Sequence, residues 1–129
     1  MKDGTLKFRG HNGYPDYPAG QLRTSIKDIV SIYEGLLNHS FGRFILSSYT
    51  VGRILPHPEI NQLGYFTWFL QPYNDHQFYV HRGGDIGVST IVAIDVVHKN
   101  AIIILANKQA KLEGLVKKID QLLVHQNSN

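Results

Sequence analysis

The chain has 129 residues, a length that fits one small domain spanning residues 1–129. Hydrophobic residues make up 43% of it, as in ordinary globular proteins. It carries 13 Lys and Arg against 10 Asp and Glu, and because these charges are scattered, the net charge of +3 does not indicate nucleic-acid binding. The sequence contains no cysteine, which excludes disulfides and thiolate catalysis.

No targeting or membrane segment is predicted. The N-terminus, Met1–Gly4, leads directly into polar residues without the apolar region of a signal peptide. The longest apolar runs reach about half of the roughly 20 residues that a membrane-spanning helix needs. We therefore expect no membrane span, and the compartment is left open.

Two helices are predicted in the first half of the chain. Residues 1–21 are expected to be irregular, because glycine and proline interrupt them too often for a helix or strand. A helix is predicted over Ser25–Asn38, where Ser25 and Asp28 resemble a capping box and apolar residues then recur at helical spacing. A shorter helix is predicted over Ser48–Leu55, because prolines follow it.

From Tyr65 the apolar pattern changes to that of strands. Four strands are predicted: Tyr65–Gln71, Gln77–Arg82, Val88–Asp95 and Ala101–Ala106. A turn at Lys99–Asn100 is expected between the last two, and Ala101–Ala106 is apolar throughout, so burial on both faces is expected. An amphipathic helix over Leu112–His125 completes the pattern. The order of elements predicts an α+β fold, a mostly antiparallel sheet flanked by helices.

Three stretches resemble the penicillin-recognising serine hydrolases, the group of penicillin-binding proteins and class C β-lactamases. Tyr17–Ser25 is similar to the family's P-A-G-G-L-x-S-T segment, with which a helix begins. Val80–Gly87 is similar to the third family motif, K-T-G or H-x-G, and Val92–Lys108 is similar to the final hairpin that ends in L-A-N-K. Because the three occur in the family's order and spacing, residues 17–125 resemble the C-terminal portion of such an enzyme.

The resemblance implies hydrolysis of an amide or ester through a serine acyl-enzyme, as in D-Ala-D-Ala carboxypeptidases, β-lactamases and esterases, and the H-x-G form leans towards esterases and peptidases. By this correspondence His81 is the basic residue of the third motif, and the backbone N–H of Gly84 is an oxyanion-hole donor. Gly83 would let the backbone approach the substrate closely. Arg82 and Asp85 are candidate ligand-binding residues; Arg82 either contacts a carboxylate in a bidentate manner or faces solvent from its strand. Without the resemblance, His81 would be read as a half-exposed strand histidine.

Two family motifs are absent from the sequence. No serine is followed by a lysine three residues later, and no Tyr-x-Asn or Ser-x-Asn motif precedes the first helix. Thr24–Lys27 has the form Thr-x-x-Lys, which we attribute to helix capping. Since both motifs precede the matching region in the family, we expect a C-terminal fragment that is inactive alone, whose parent the resemblance places in the periplasm or outside the cell. A partner chain that supplies the nucleophile and a non-enzymatic module that binds a peptide or partner protein are the alternatives.

The family's sheet also pairs N-terminal strands with its last strand. Without them, Ala101–Ala106 would be an exposed apolar edge strand. We expect homo-oligomerisation, strand exchange, or binding of the missing N-terminal portion at this edge.

Other chemistries are not favoured by the sequence. The aromatic residues of the first two strands are more typical of a core than of a base-stacking platform, since no basic stripe accompanies them. Gly83, Gly84 and Gly87 do not open a helix, as a phosphate-binding loop would, and Gly87 is interpreted as a turn glycine. The histidines, among them His57, His76 and His81, form no metal-binding motif, so no metal or cofactor is expected.

Overall fold

The computed structural model describes residues 5, 20, 22–38, 47–54, 64–65 and 68–127. The irregular segment predicted for residues 1–21 and most of the Tyr17–Ser25 motif lie outside the described residues, as does His57. The elements in chain order are α1 (Ile26–Leu37), α2 (Ser48–Ile54), β1 (Gly64–Tyr65), β2 (Trp68–Tyr73), β3 (His76–Asp85), β4 (Val88–Asp95), β5 (Asn100–Ala106) and α3 (Glu113–Asn127).

Helix α1 begins and ends where the sequence predicts. Ser25 is its N-cap, with extended backbone and a hydroxyl that accepts a hydrogen bond from the Asp28 N–H at 3.2 Å. Asn38 is the C-cap, and its N–H donates to the Glu34 carbonyl. Both ends depend on polar side chains adjacent in sequence, so local chemistry alone locates them.

The described strands form one antiparallel sheet in the order β1-β2-β3-β4-β5, so each strand pairs with its neighbours in the chain. Two-residue loops join β2 to β3 and β3 to β4. Asn74 and Gly87 adopt positive φ in these loops, at 50° and 83°, a conformation that asparagine and glycine tolerate better than most residues. The prediction of Gly87 as a turn residue is confirmed.

Three strand boundaries differ from the prediction. The single strand predicted over Tyr65–Gln71 is two strands, β1 and β2, and β2 continues through Pro72. Proline fits there because β1 pairs only with Trp68 and Phe69, so the side of Pro72 away from β3 has no ladder to complete. The turn predicted at Lys99–Asn100 lies one residue earlier, since Asn100 already pairs with Asp95.

Helix α3 covers one face of the sheet. Its Leu112 and Val116 pack with buried residues of alternating strand positions, and this α3-face core consists of Tyr73, Phe78, Val80, Ile91, Ala93, Ile102, Leu112 and Val116. Helix α1 covers the other face through Leu36, and the α1-face core consists of Leu36, Trp68, Tyr79 and Ile94. The predicted α+β fold, an antiparallel sheet with helices packed on it, is confirmed.

Strand β5 is not buried on both faces, so that prediction is wrong. Ile102 is only 3% exposed against the α3-face core, but Leu105 is 40% exposed and Ala101 is also open. The cause is the position of β5 at the end of the sheet, where it pairs with β4 alone among the described strands. Its apolar composition therefore marks an edge rather than an interior strand.

Candidate active-site strand

The predicted site residues lie together on the second half of β3. Strand β2 pairs with β3 only as far as Val80, whereas β4 pairs with it up to Asp85. Gly83 and Gly84, expected to lie between two strands, are inside β3 because they pair with Thr90 and Ser89. Among the described strands, the segment from His81 to Asp85 therefore has a neighbour on one side only, and its other edge is open.

The alternation of a strand divides the five predicted residues between two faces. His81, Gly83 and Asp85 share the face of Tyr79, which packs under α1. Arg82 and Gly84 share the face of Val80, which packs under α3. The structure thus brings His81 and Gly83 together and places the Arg82 side chain on the opposite side of the sheet.

His81 is exposed and stands against an aromatic residue of β2. Its ring contacts Trp68 edge to face, with ring centroids 6.1 Å apart and an interplanar angle of 77°. Trp68 is itself buried and packs edge to face on Tyr33 of α1, at 6.0 Å. This aromatic support limits where the imidazole can turn, and its exposed part faces the open edge of β3.

Gly83 is required by its neighbour on β4. A Cβ atom built at Gly83 would lie 2.5 Å from Oγ1 of Thr90, far closer than van der Waals contact allows. At Gly84 the nearest atom to such a Cβ is the Val88 carbonyl oxygen, at an ordinary 3.9 Å. The sequence singled out both glycines equally, but only Gly83 is bare because of packing.

Arg82 is occupied by an ion pair with helix α3. Its Nε donates to Glu113 Oε1 at 3.1 Å, and both side chains are partly exposed. The Tyr73 hydroxyl is buried nearby with no hydrogen-bond partner among the described residues. Burial raises the pKa of Tyr73, and the positive charge of Arg82 offsets part of that increase.

The same ion pair gives a pH-dependent contribution to stability. A hydrogen bond from its own backbone N–H, followed by the Arg82 contact, lowers the pKa of Glu113 below 4.5. A lowered folded-state pKa stabilises the protein above pH 4.5, and this contribution is lost as the pH falls through the folded-state value. Because the Glu113 side chain is 43% exposed, we expect Glu113→Gln to cost only about 0.5 kcal/mol at neutral pH.

Urea unfolding at pH 7 and pH 3 measures this difference. The exposed Glu34 on α1 is the matched control, and Glu34→Gln should change stability less than Glu113→Gln at pH 7. Equal losses for Glu113→Gln at both pH values would contradict the contribution of the carboxylate charge.

Gly84 lies over a shallow pocket on the α3 face of β3. Its partner Ser89 accepts a hydrogen bond from the Ala110 N–H at 3.0 Å, which ties β4 to the segment before α3. Beside it, a pocket of about 140 Å³ is lined by residues of β3, β4 and the start of α3, Arg82 and Glu113 included. Asp85 ends the strand, and its Oδ1 accepts from the Ile86 N–H at 2.6 Å.

The described residues around His81 provide a base, an open strand edge and a bare glycine, but the hydroxyls nearest the sequence motifs have other roles. Ser25 caps α1, and its hydroxyl bonds to Asp28. Thr24 Oγ1 contacts the Ser25 carbonyl at 3.5 Å. These contacts agree with the interpretation of Thr24–Lys27 as a capping sequence.

Sequence reasoning missed the residues that depend on the fold. Thr90 and Trp68, which shape the surroundings of Gly83 and His81, are ordinary strand residues in the sequence, and only pairing register brings them together. His76 and His98 approach each other only because two hairpin turns lie at the same end of the sheet.

No protein-family model, curated protein or solved structure matches this chain. In the part of the chain that the structure describes, no helix has the length and apolarity needed to cross a bilayer. Within the same residues, no group of three or more histidine or acidic side chains is arranged to hold a metal ion.

Proposed function

We propose that this chain is the C-terminal part of a serine hydrolase of the penicillin-binding-protein and class C β-lactamase type, acting on amide or ester bonds. In this proposal the second half of β3 forms one wall of the acylation site. The observation that carries it is the joint position of His81 and Gly83 on one face of β3, at an edge without a described neighbouring strand.

An open strand edge is suited to a substrate with an extended backbone. Unpaired N–H and C=O groups along His81–Asp85 can pair with such a substrate as an added strand would. Gly83 has no side chain to hold the substrate away, and His81 lies next to it on the same face. The residue that forms the acyl bond is not among these groups, so it would come from a Ser-x-x-Lys motif outside the printed sequence.

The chain alone is expected to give no covalent adduct. Incubation with a fluorophosphonate probe or a penicillin, followed by intact mass spectrometry, should show no increase in mass, because a site without its nucleophile cannot acylate. A stoichiometric adduct on this chain would contradict the proposal, and Thr24 and Ser25 would be the first residues to map.

The decisive arm uses the reading frame upstream of the codon for Met1. If it encodes a Ser-x-x-Lys motif, the longer protein should be labelled, and His81→Ala should slow labelling by about 100-fold through loss of proton transfer. Gln77→Ala, an exposed residue at the start of the same strand, is the matched control and should leave the rate unchanged. Labelling that His81→Ala leaves intact would overturn the assigned role.

A second candidate, a non-enzymatic module that binds a peptide or partner protein, is favoured by the open edge at β5. Leu105 is 40% exposed there, and between α1 and β5 lies a cavity of about 210 Å³ with Val30 and Ile103 in its lining. An edge of this kind accepts an added strand. An upstream frame without a nucleophile motif would leave this candidate as the better explanation.

A further inference from the structure

A second cluster of side chains lies away from the β3 site, at the end of the sheet where the β2–β3 and β4–β5 turns meet α3. Nδ1 of His76 lies 2.8 Å from Oδ1 of Asp120, and Nδ1 of His98 lies 2.6 Å from Oδ2 of Asp95. Both aspartates are only 2% exposed. The two imidazole rings face each other, with centroids 5.1 Å apart and an interplanar angle of 33°.

The carboxylates determine which ring nitrogen is available. An ionised carboxylate only accepts hydrogen bonds, so Nδ1 of each neutral ring carries the proton and Nε2 keeps its lone pair. Among the described residues, the hydrogen bond at Nδ1 is the one each ring forms. A histidine whose other nitrogen is bonded to a carboxylate is the usual form of a metal ligand, because the carboxylate fixes the ring and raises its basicity.

The spacing of the rings is also suited to a shared ion. Two imidazoles that bind one tetrahedral Zn²⁺ with Zn–N bonds of about 2.0–2.1 Å have centroids about 5 Å apart. The observed separation is 5.1 Å. The negative charges of Asp95 and Asp120 balance a divalent cation, and an adjoining pocket of about 390 Å³, lined in part by His76 and Asp120, leaves room for water ligands.

We propose that His76 and His98 form a two-histidine site for a divalent transition-metal ion of the zinc class, with Asp120 and Asp95 as the groups that orient them. Solvent or a group from a binding partner completes the coordination, since two protein nitrogens leave positions open. The site is separate from β3 and does not depend on the proposed hydrolase function. It also departs from the expectation drawn from the sequence, which contains no contiguous metal-binding motif.

The test is titration of the purified chain with Zn²⁺, followed by isothermal calorimetry. The wild-type chain should bind one more Zn²⁺ than the His76→Ala/His98→Ala double variant, whereas His81→Ala, an exposed histidine elsewhere on the sheet, should retain that ion. Asp120→Asn should weaken binding by about 10–100-fold through loss of ring orientation. Equal stoichiometry in the wild type and the double variant would overturn the site and leave a purely structural cluster.

A measurement on the unmodified chain guards against a variant that fails to fold. Zinc should shift the imidazole resonances of His76 and His98 in nuclear magnetic resonance spectra, and leave those of His81 in place. Shifts confined to other histidines would also overturn the proposal.

Discussion

Replacing Asp120 by alanine is expected to lower the free energy of unfolding by about 2–4 kcal/mol. The carboxylate is 2% exposed and accepts from Asn74 Nδ2 at 2.6 Å as well as contacting His76 at 2.8 Å. Its removal leaves both partners with one hydrogen bond fewer and releases the β2–β3 turn from α3. Chemical denaturation at neutral pH measures the loss.

Asp75 is the matched control for this substitution. It lies next to Asn74 in the same turn but is exposed, so Asp75→Ala should change stability by less than about 0.5 kcal/mol. A loss for Asp120→Ala no greater than that for Asp75→Ala would show that the link between turn and helix contributes little.

Replacing Gly83 by alanine is expected to cost about 1–3 kcal/mol, because the new methyl group would lie 2.5 Å from the Thr90 oxygen. Gly84→Ala, one residue along the same strand with 3.9 Å to its nearest neighbour, should cost less than about 0.5 kcal/mol. Thermal or urea unfolding of the two variants compares a tight and an open position in one strand.

A double-mutant cycle identifies the colliding atom. In a Thr90→Ala background, Gly83→Ala should lose most of its cost, whereas in a Thr90→Val background the cost should persist because a methyl group replaces the hydroxyl. Equal costs in all three backgrounds would place the strain in the backbone of β3 instead of in the Thr90 side chain.

The features that sequence reasoning located correctly depend on neighbouring residues. Ser25, Asp28 and Asn38 mark the ends of α1 through bonds within a single helical turn. The strands after Tyr65 and the fold class follow from apolar periodicity, which is likewise local. These signals need no knowledge of what lies across the sheet.

The errors concern properties that the sheet as a whole decides. Strand β5 appeared to be an interior strand because its composition is apolar, yet its position at the end of the sheet leaves Leu105 open. Gly83 and Gly84 were expected between strands, since glycine is rare within them, but pairing with β4 holds both in β3. His76 and Asp120 lie 44 residues apart, and no pattern in the sequence connects them.

Because every strand pairs with the next one in the chain, the sheet can assemble in order during synthesis. Each hairpin closes a short loop, so little entropy is lost before the pairing forms, and proteins with such local contacts fold quickly. The apolar residues that α3 covers, such as Phe78 and Ile91, must then wait for the final segment of the chain. During that interval the half-built protein presents a sticky surface to the ribosome exit and to chaperones, and the last turns of α3 determine when it disappears.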